Sequence, residues 1–204
     1  MLASGDKAPR FTALDQNGSK HDSTQLKGKR YLVYFYPKDA TPGCTVQACG
    51  LQSDLEQFNT LGILTFGVSM DSVASHKKFA DKYGLTFPLL ADTEKALIEA
   101  FGVWVEKSMY GKKYMGISRS SFLVGAGGKV EQVWEKVNTK THAQDVLEFI
   151  TGGKTDAKPA AKSPQKKTNG EKKSDLVKQA TTLKKTPAKK TPAKKTPAKK
   201  TTKK

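Results

Sequence analysis

The sequence predicts an α/β sandwich, in which a mixed β-sheet lies between layers of helices. Apolar runs of strand length alternate with amphipathic runs of helix length, and a strand hairpin and one more helix follow them. The runs at residues 31–36 and 63–69 are almost continuously apolar, as in strands that are buried on both faces. Strands of that kind need helices on both sides of their sheet, which favours the sandwich.

The first predicted elements are a hairpin, a buried strand and a helix. Residues 10–24 alternate apolar and polar side chains around Asn17-Gly18, a pair typical of a two-residue hairpin turn. The buried strand at residues 31–36 leads into a helix at residues 43–59. That helix is expected to bury four apolar side chains on one face: Val46, Leu51, Leu55 and Phe58.

The later elements alternate between strands and helices. They are predicted at residues 63–69 (strand), 72–83 (helix, capped by Gly84), 87–90 (strand), 93–101 (helix), 120–124 and 129–134 (strands) and 141–150 (helix). Their order is that of a thioredoxin-like fold, with an N-terminal β-hairpin and a central mixed sheet flanked by helices. A fold supports many activities, so the function has to be argued from a site.

The charge of the chain divides it into two parts. Residues 154–204 hold 18 Lys and 3 acidic side chains, a net charge of +15, whereas residues 1–153 hold 18 basic and 16 acidic side chains, a net charge of +2. The first part is long enough to bury a core. The second has almost no large apolar residues, and residues 186–200 are three copies of Thr-Pro-Ala-Lys-Lys. We therefore predict one domain at residues 1–153 and a disordered tail at residues 154–204.

The sequence shows no targeting or membrane segment. Its N-terminus has no basic stretch followed by an apolar run, and no apolar run approaches the ~20 residues that span a bilayer. We therefore expect a cytoplasmic protein with no membrane partner. In a reducing compartment, two cysteines are more often catalytic or metal-binding than structural.

Cys44 and Cys49 are the only cysteines, and Cys44 follows a Thr-Pro-Gly turn where the helix begins. The unpaired N–H groups of a first helical turn favour an anion, and the thiolate is the nucleophilic form of cysteine. We expect Thr41 to aim its hydroxyl at the sulfur or at a bound oxygen. Pro42 is expected to preset the turn and to shield one side of the thiol.

Arg119 is the best candidate for a cation beside Cys44. It is the only arginine after Arg30, and it precedes a strand that can neighbour the one leading to Cys44. Position alone leaves the interpretation as an ordinary surface arginine equally open.

The spacing of Cys44 and Cys49 restricts how they can react with each other. In a regular helix, residues five apart have their Cα atoms ~8.7 Å apart, whereas a disulfide needs them within about 7 Å. Oxidation to a disulfide therefore has to unwind part of the helix, and Gly50 lowers the free energy of doing so by roughly 1 kcal/mol relative to Ala.

Other interpretations of the pair are weaker. An inert buried pair is common, but a thiol just after Thr-Pro-Gly at a helix start is not a typical core position. A zinc site needs further ligands, and the three histidines show no ligand spacing: His21, His76 and His142. A dithiol oxidoreductase of thioredoxin type would need Cys-x-x-Cys, which is absent.

Four segments together resemble a peroxiredoxin of the bacterioferritin comigratory protein (peroxiredoxin Q) branch. They read GDKAPRFTALDQNG, YPKDATPGCTVQACGL, FPLLAD and FGVWVEKSMYGKKYMGISRSSFLV. The resemblance covers essentially residues 3–150 and is highly specific, because the order and spacing of the segments agree throughout. Ala40 departs from the acidic residue often found at its position.

This resemblance implies a thiol peroxidase that reduces hydrogen peroxide and organic hydroperoxides. Cys44 corresponds to the peroxidatic cysteine and Cys49 to a resolving cysteine, and the two would form an intramolecular redox disulfide. Thr41, Pro42 and Arg119 correspond to the residues that complete the active site. The resemblance also implies thioredoxin as the reductant and no metal, haem or flavin cofactor. We expect a monomer.

The predicted tail lies outside the resemblance. Its lysines can neutralise phosphates, so we predict non-specific, salt-dependent nucleic-acid binding and association with the nucleoid. An anionic membrane or an acidic protein could use the same charge, and a merely solubilising tail is the simplest alternative. For the whole chain, the alternative from a different functional class is a non-enzymatic, histone-like DNA-binding protein with a redox-inactive scaffold domain.

Overall fold

The computed structural model describes residues 1–109 and 111–152. Nine strands lie in these residues: β1 Thr12–Leu14, β2 Lys20–Asp22, β3 Arg30–Phe35, β4 Ile63–Ser69, β5 Leu89–Ala91, β6 Trp104–Met109, β7 Lys112–Ile117, β8 Ser121–Val124 and β9 Val130–Trp134. Five α-helices accompany them: α1 Pro42–Ser53, α2 Leu55–Thr60, α3 Val73–Tyr83, α4 Ala96–Ala100 and α5 His142–Thr151. The predicted domain boundary at residue 153 and the predicted tail lie outside the described residues.

Seven strands form one mixed sheet in the order β2-β1-β5-β4-β3-β8-β9. The central strand β3 pairs in parallel with β4 and antiparallel with β8. This arrangement confirms the predicted thioredoxin-like fold with its N-terminal hairpin and central mixed sheet. The pairing of Tyr34 with Ser121 brings the residues before β8 to the end of β3, where α1 begins.

The core has one cluster of apolar side chains on each face of the sheet. Helices α1, α3 and α5 cover one cluster, and α4 covers the other. Residues 31–36 are all buried, and their side chains alternate between the two clusters. The continuous apolar pattern of this strand is thus explained by burial on both faces.

The predicted helix at residues 43–59 is two helices, and its predicted buried face is wrong at one position. Helix α1 ends before Asp54, whose ψ of 7° breaks the helix before α2 begins. Val46 is 44% exposed. It lies two residues after the buried Cys44, about 200° around the helix, so it faces solvent, and the polar Gln47 takes a buried position instead.

The antiparallel hairpin of β6 and β7 was not predicted from the sequence. Its two strands pair over six positions, from Trp104 with Ile117 to Met109 with Lys112. Charged side chains interrupt the apolar alternation that identifies a strand, which explains the omission. Among the described residues, no helix is both long and apolar enough to cross a membrane.

Candidate active site

Cys44 lies at the start of α1, directly after the turn that follows the central strand. It is the third residue of the helix, and only 1% of its surface is exposed. Pro42 occupies the first helical position, where its missing N–H leaves no hydrogen bond unmade. The sulfur is therefore held near the positive end of the α1 dipole and within the core.

Arg119 reaches Cys44 from the other side of the site. Its Nη2 donates to the Cys44 sulfur at 3.3 Å, and its Nη1 donates to Oε1 of Gln47 at 2.7 Å. The predicted cation beside Cys44 is thus present, and the surface interpretation of Arg119 is wrong. A Cβ on Gly43 would lie 3.4 Å from the same Nη2, at ordinary van der Waals contact, so the guanidinium packs directly beside the backbone of Gly43.

Gln47 and His142 form a second layer of the site that the sequence did not reveal. Because Oε1 of Gln47 accepts from Arg119, its Nε2 is left to donate to Nδ1 of His142, 3.2 Å away. The ring proton of His142 then lies on Nε2, which is buried and has no hydrogen-bond partner in the described residues. Burial and, next, the charge of Arg119 lower the pKa of His142 to about 4.

Thr41 lies beside the cysteine but does not point at it. Its hydroxyl donates to the carbonyl oxygen of Lys38 at 3.2 Å. The expectation that this hydroxyl points at the Cys44 sulfur is therefore not met in this structure, because the proton is given to the preceding turn. A hydroxyl held by a single bond of this length can rotate toward a ligand.

Cys49 lies on the same unbroken helix as Cys44, and both thiols are free. Cys49 is partly exposed, and burial raises the pKa of its thiol. It therefore remains a thiol near neutral pH. Within the described ranges, no group of three or more His, Cys, Asp or Glu side chains is arranged to hold a metal ion.

The chain matches known proteins over most of its length. Residues 4–133 match the model of the AhpC/TSA family. The chain is 46% identical over 149 residues to the peroxiredoxin Bcp of Escherichia coli K12, a match that covers 73% of this chain and 96% of the relative. It is 44% identical over 146 residues to the peroxiredoxin Bcp of Bacillus subtilis, covering 72% and 93%.

This chain is a peroxiredoxin. Among solved structures, peroxiredoxin Q of Xanthomonas campestris superimposes with a TM-score of 0.67 at 41% identity, over 70% of this chain and 90% of that one. The bacterioferritin comigratory protein of the same organism, which has alkyl peroxide reduction activity, has the same TM-score at 40% identity and the same two coverages. The resemblance in the sequence is thus confirmed, and the peroxiredoxin has thiol peroxidase activity.

The peroxiredoxin match accounts for about three quarters of the chain. The 149 residues aligned to the E. coli relative are 73% of this chain, so about a quarter of this peroxiredoxin lies outside the match. The lysine-rich residues 154–204 are a quarter of the sequence, and they also lie outside the AhpC/TSA family match.

Proposed function

We propose that the peroxiredoxin reduces hydrogen peroxide and organic hydroperoxides, with Cys44 as peroxidatic and Cys49 as resolving cysteine. The contact of 3.3 Å between the Cys44 sulfur and Arg119, at the start of α1, carries the proposal. The alkyl peroxide reduction activity of the X. campestris relative supports organic hydroperoxides as substrates.

In the first step, the Cys44 thiolate attacks the terminal oxygen of the hydroperoxide. The O–O bond breaks, the sulfur becomes a sulfenic acid, and the other oxygen leaves as an alcohol or as water after taking up a proton. Arg119 and the N–H groups of the first turn of α1 stabilise the negative charge as it moves onto the oxygens. Rotation of the Thr41 hydroxyl from Lys38 toward the peroxide would supply one more donor.

In the second step, the Cys49 thiol condenses with the sulfenic acid, which forms the disulfide and releases water. The ideal helical separation of ~8.7 Å between the two Cα atoms exceeds what a disulfide allows, so α1 has to unwind. Unwinding also removes Gln47 from its bonds to Arg119 and His142. A dithiol reductant, which we propose to be thioredoxin, then exchanges with the disulfide and restores both thiols.

Two cysteine variants test this assignment. Cys44→Ser should abolish peroxide consumption. Cys49→Ser should consume one equivalent of peroxide per chain and then stop, with no thioredoxin-driven turnover. Stopped-flow tryptophan fluorescence can follow each step, because the Trp134 ring packs 6.3 Å from His142 between ring centroids. Full activity of Cys44→Ser would refute the assignment.

We also propose that residues 154–204 bind nucleic acid without sequence preference and keep the enzyme in the cytoplasm near the nucleoid. The net charge of +15 over these residues supports this accessory function. A gel-shift experiment should compare the full chain with a chain that ends at residue 153, at low and at high salt. Binding by the full chain alone, lost at high salt, is expected. Equal behaviour of both chains would leave only a solubilising tail.

The peroxidase and histone-like proposals differ in the reaction of the thiols with peroxide. A histone-like protein with a redox-inactive domain would bind DNA but leave Cys44 unoxidised after stoichiometric peroxide. The contact between Arg119 and Cys44 favours the peroxidase, because a scaffold has no use for a buried thiol beside a guanidinium group.

A further inference from the structure

A buried pair of hydrogen-bonded side chains, Asp39 and His76, lies behind the turn that precedes Cys44, and no step of the mechanism above uses it. Asp39 is 8% exposed and His76 is fully buried. Nδ1 of His76 lies 3.0 Å from Oδ2 of Asp39, and Nε2 lies 3.2 Å from the carbonyl oxygen of Leu90. The pair ties helix α3 to the turn between β3 and α1.

The Asp39 carboxylate is held by two further side chains. The Tyr36 hydroxyl donates to Oδ1 at 2.8 Å, and the Ser75 hydroxyl donates to Oδ2 at 2.7 Å. The backbone N–H of Asp39 donates in turn to Oδ2 of Asp71 at 2.8 Å. Hydrogen bonds thus hold both the side chain and the backbone N–H of Asp39, and they restrict the conformation of this part of the turn.

Both ring nitrogens of His76 lie within hydrogen-bond distance of oxygen atoms. A carbonyl oxygen can only accept, so Nε2 of His76 donates to Leu90, while Nδ1 lies 3.0 Å from the Asp39 carboxylate. Burial alone would raise the pKa of Asp39, but the hydrogen bond and charge of His76 hold it below its ordinary value, with smaller contributions from Ser75 and Tyr36. Removing the Asp39 carboxylate would leave Nδ1 of the buried His76 ring without this partner.

The residue after Asp39 has a strained backbone. Ala40 has a φ of +56°, and only Lys95 shares a positive φ among the described residues other than glycine. For a residue with a Cβ, this conformation is unfavourable by about 1–2 kcal/mol and persists only where its surroundings enforce it. The site residues follow directly in the chain: Thr41, Pro42 and Cys44. The backbone conformation of Ala40 therefore determines where they lie.

We propose that Asp39, held by His76, is a positioning residue of the peroxidase. It keeps the strained turn at Ala40 in the conformation that places the Cys44 sulfur against Arg119. This role rests on the proposed function of Cys44 and concerns only the geometry of its attack on the peroxide.

The test compares two reactions of the Cys44 thiol in full-length protein. Oxidation by hydrogen peroxide needs the sulfur, Arg119 and the turn to be aligned, whereas alkylation by iodoacetamide needs only an accessible thiolate. A misplacement of about 1 Å can reduce a rate on the order of a hundredfold. In Asp39→Asn, we therefore expect the ratio of the peroxide rate to the alkylation rate to fall at least about tenfold. Cys49→Ser serves as the common background, so that only Cys44 reacts productively with peroxide.

Three more variants separate positioning from stability. Asp81→Asn removes an exposed ion pair with Lys77 on the same helix α3 and should leave the ratio unchanged. Ala40→Gly, added to Asp39→Asn, should recover part of the lost ratio, because glycine adopts a positive φ without strain. If Asp39→Asn does not fold, Ser75→Ala removes one donor to the carboxylate and should lower the ratio about threefold, the effect of one hydrogen bond.

The outcomes are distinct. A folded Asp39→Asn protein with a lower melting temperature but an unchanged ratio, or no recovery by Ala40→Gly, would overturn the positioning role. If peroxide does not oxidise Cys44 in the Cys49→Ser background itself, the proposed peroxidase function fails instead. This result is distinguishable from a failure of the positioning role, in which Cys44 of the background is still oxidised.

Discussion

At the scale of single residues, the site depends on the two donor nitrogens of the Arg119 guanidinium group. Arg119 uses one nitrogen for the Cys44 sulfur and another for Gln47, so the buried amide sets its position while its other nitrogen donates to the sulfur. A lysine carries the same charge on a single nitrogen and cannot make both bonds in this geometry.

Arg119→Lys should therefore lower the rate of Cys44 oxidation by peroxide about 10²- to 10³-fold, the usual effect of losing one donor that stabilises developing charge. Stopped-flow fluorescence measures the rate. Arg30→Lys is the matched control, because Arg30 lies at the opposite end of β3 and forms an exposed ion pair with Glu131. A loss in both variants, or in neither, would contradict this role of Arg119.

His142 makes the stability of the fold sensitive to acid. Its pKa is lowered to about 4 by burial and by Arg119, whereas in the unfolded chain it is near 6.5. Between these two values the unfolded state binds one more proton, so the free energy of unfolding falls as the pH falls from about 6.5 to about 4. The shift corresponds to about 3 kcal/mol.

His142→Asn keeps an acceptor for Gln47 but removes the titrating ring. Urea unfolding at pH 7 and at pH 4 should show a loss of stability that is smaller in the variant than in the natural chain by about 2–3 kcal/mol. Equal acid sensitivity of both proteins would show that His142 is not the group that titrates.

At the scale of elements, α1 has two tasks that oppose each other. Its first turn presents positive potential to Cys44, and its unbroken continuation through Cys49 keeps the two thiols too far apart to bond. In the proposed cycle, the helix has to form for the first step and unwind for the second. Its stability is therefore a kinetic variable of the cycle.

Gly50→Ala tests this conflict directly. A Cβ at Gly50 meets nothing within 4 Å, so alanine fits and stabilises α1 by about 1 kcal/mol. Disulfide formation should become about fivefold slower, the rate equivalent of 1 kcal/mol, while oxidation of Cys44 by peroxide is unchanged. Gly127→Ala in the distant β8–β9 turn also fits and should alter neither rate. Faster disulfide formation in Gly50→Ala would contradict the requirement for unwinding.

The sequence predicted the parts of the fold that are specified locally. Strand Ile63–Ser69 and the left-handed cap at Gly84 were predicted at the positions where the structure has them. The side chains that hold the site residues in position could not be predicted from local patterns. Gln47 contacts His142 across 95 positions, and Asp39 contacts His76 across 37, so no local pattern marks either pair. The exposure of Val46 could have been inferred from its angle to Cys44 on the helix.

At the scale of the whole molecule, the sheet assembles the site from distant parts of the chain. The pairing of β3 with β8 delivers Arg119 to Cys44 across 75 positions. The strands β3 and β4, the longest parallel pair, lie between the two core clusters, so we expect them to stay in place when α1 unwinds. We therefore predict a rigid sheet beside one helix, α1, that unwinds and refolds.

Hydrogen–deuterium exchange on the full chain, reduced and peroxide-oxidised, tests this central claim most directly. Oxidation should increase the exchange of the amides of residues 44–52, while β3 and β4 keep their protection. Cys49→Ser treated with one equivalent of peroxide should keep α1 protected, because it cannot form the disulfide. Equal protection of residues 44–52 in the reduced protein and in a protein shown by mass spectrometry to hold the Cys44–Cys49 disulfide would contradict the account.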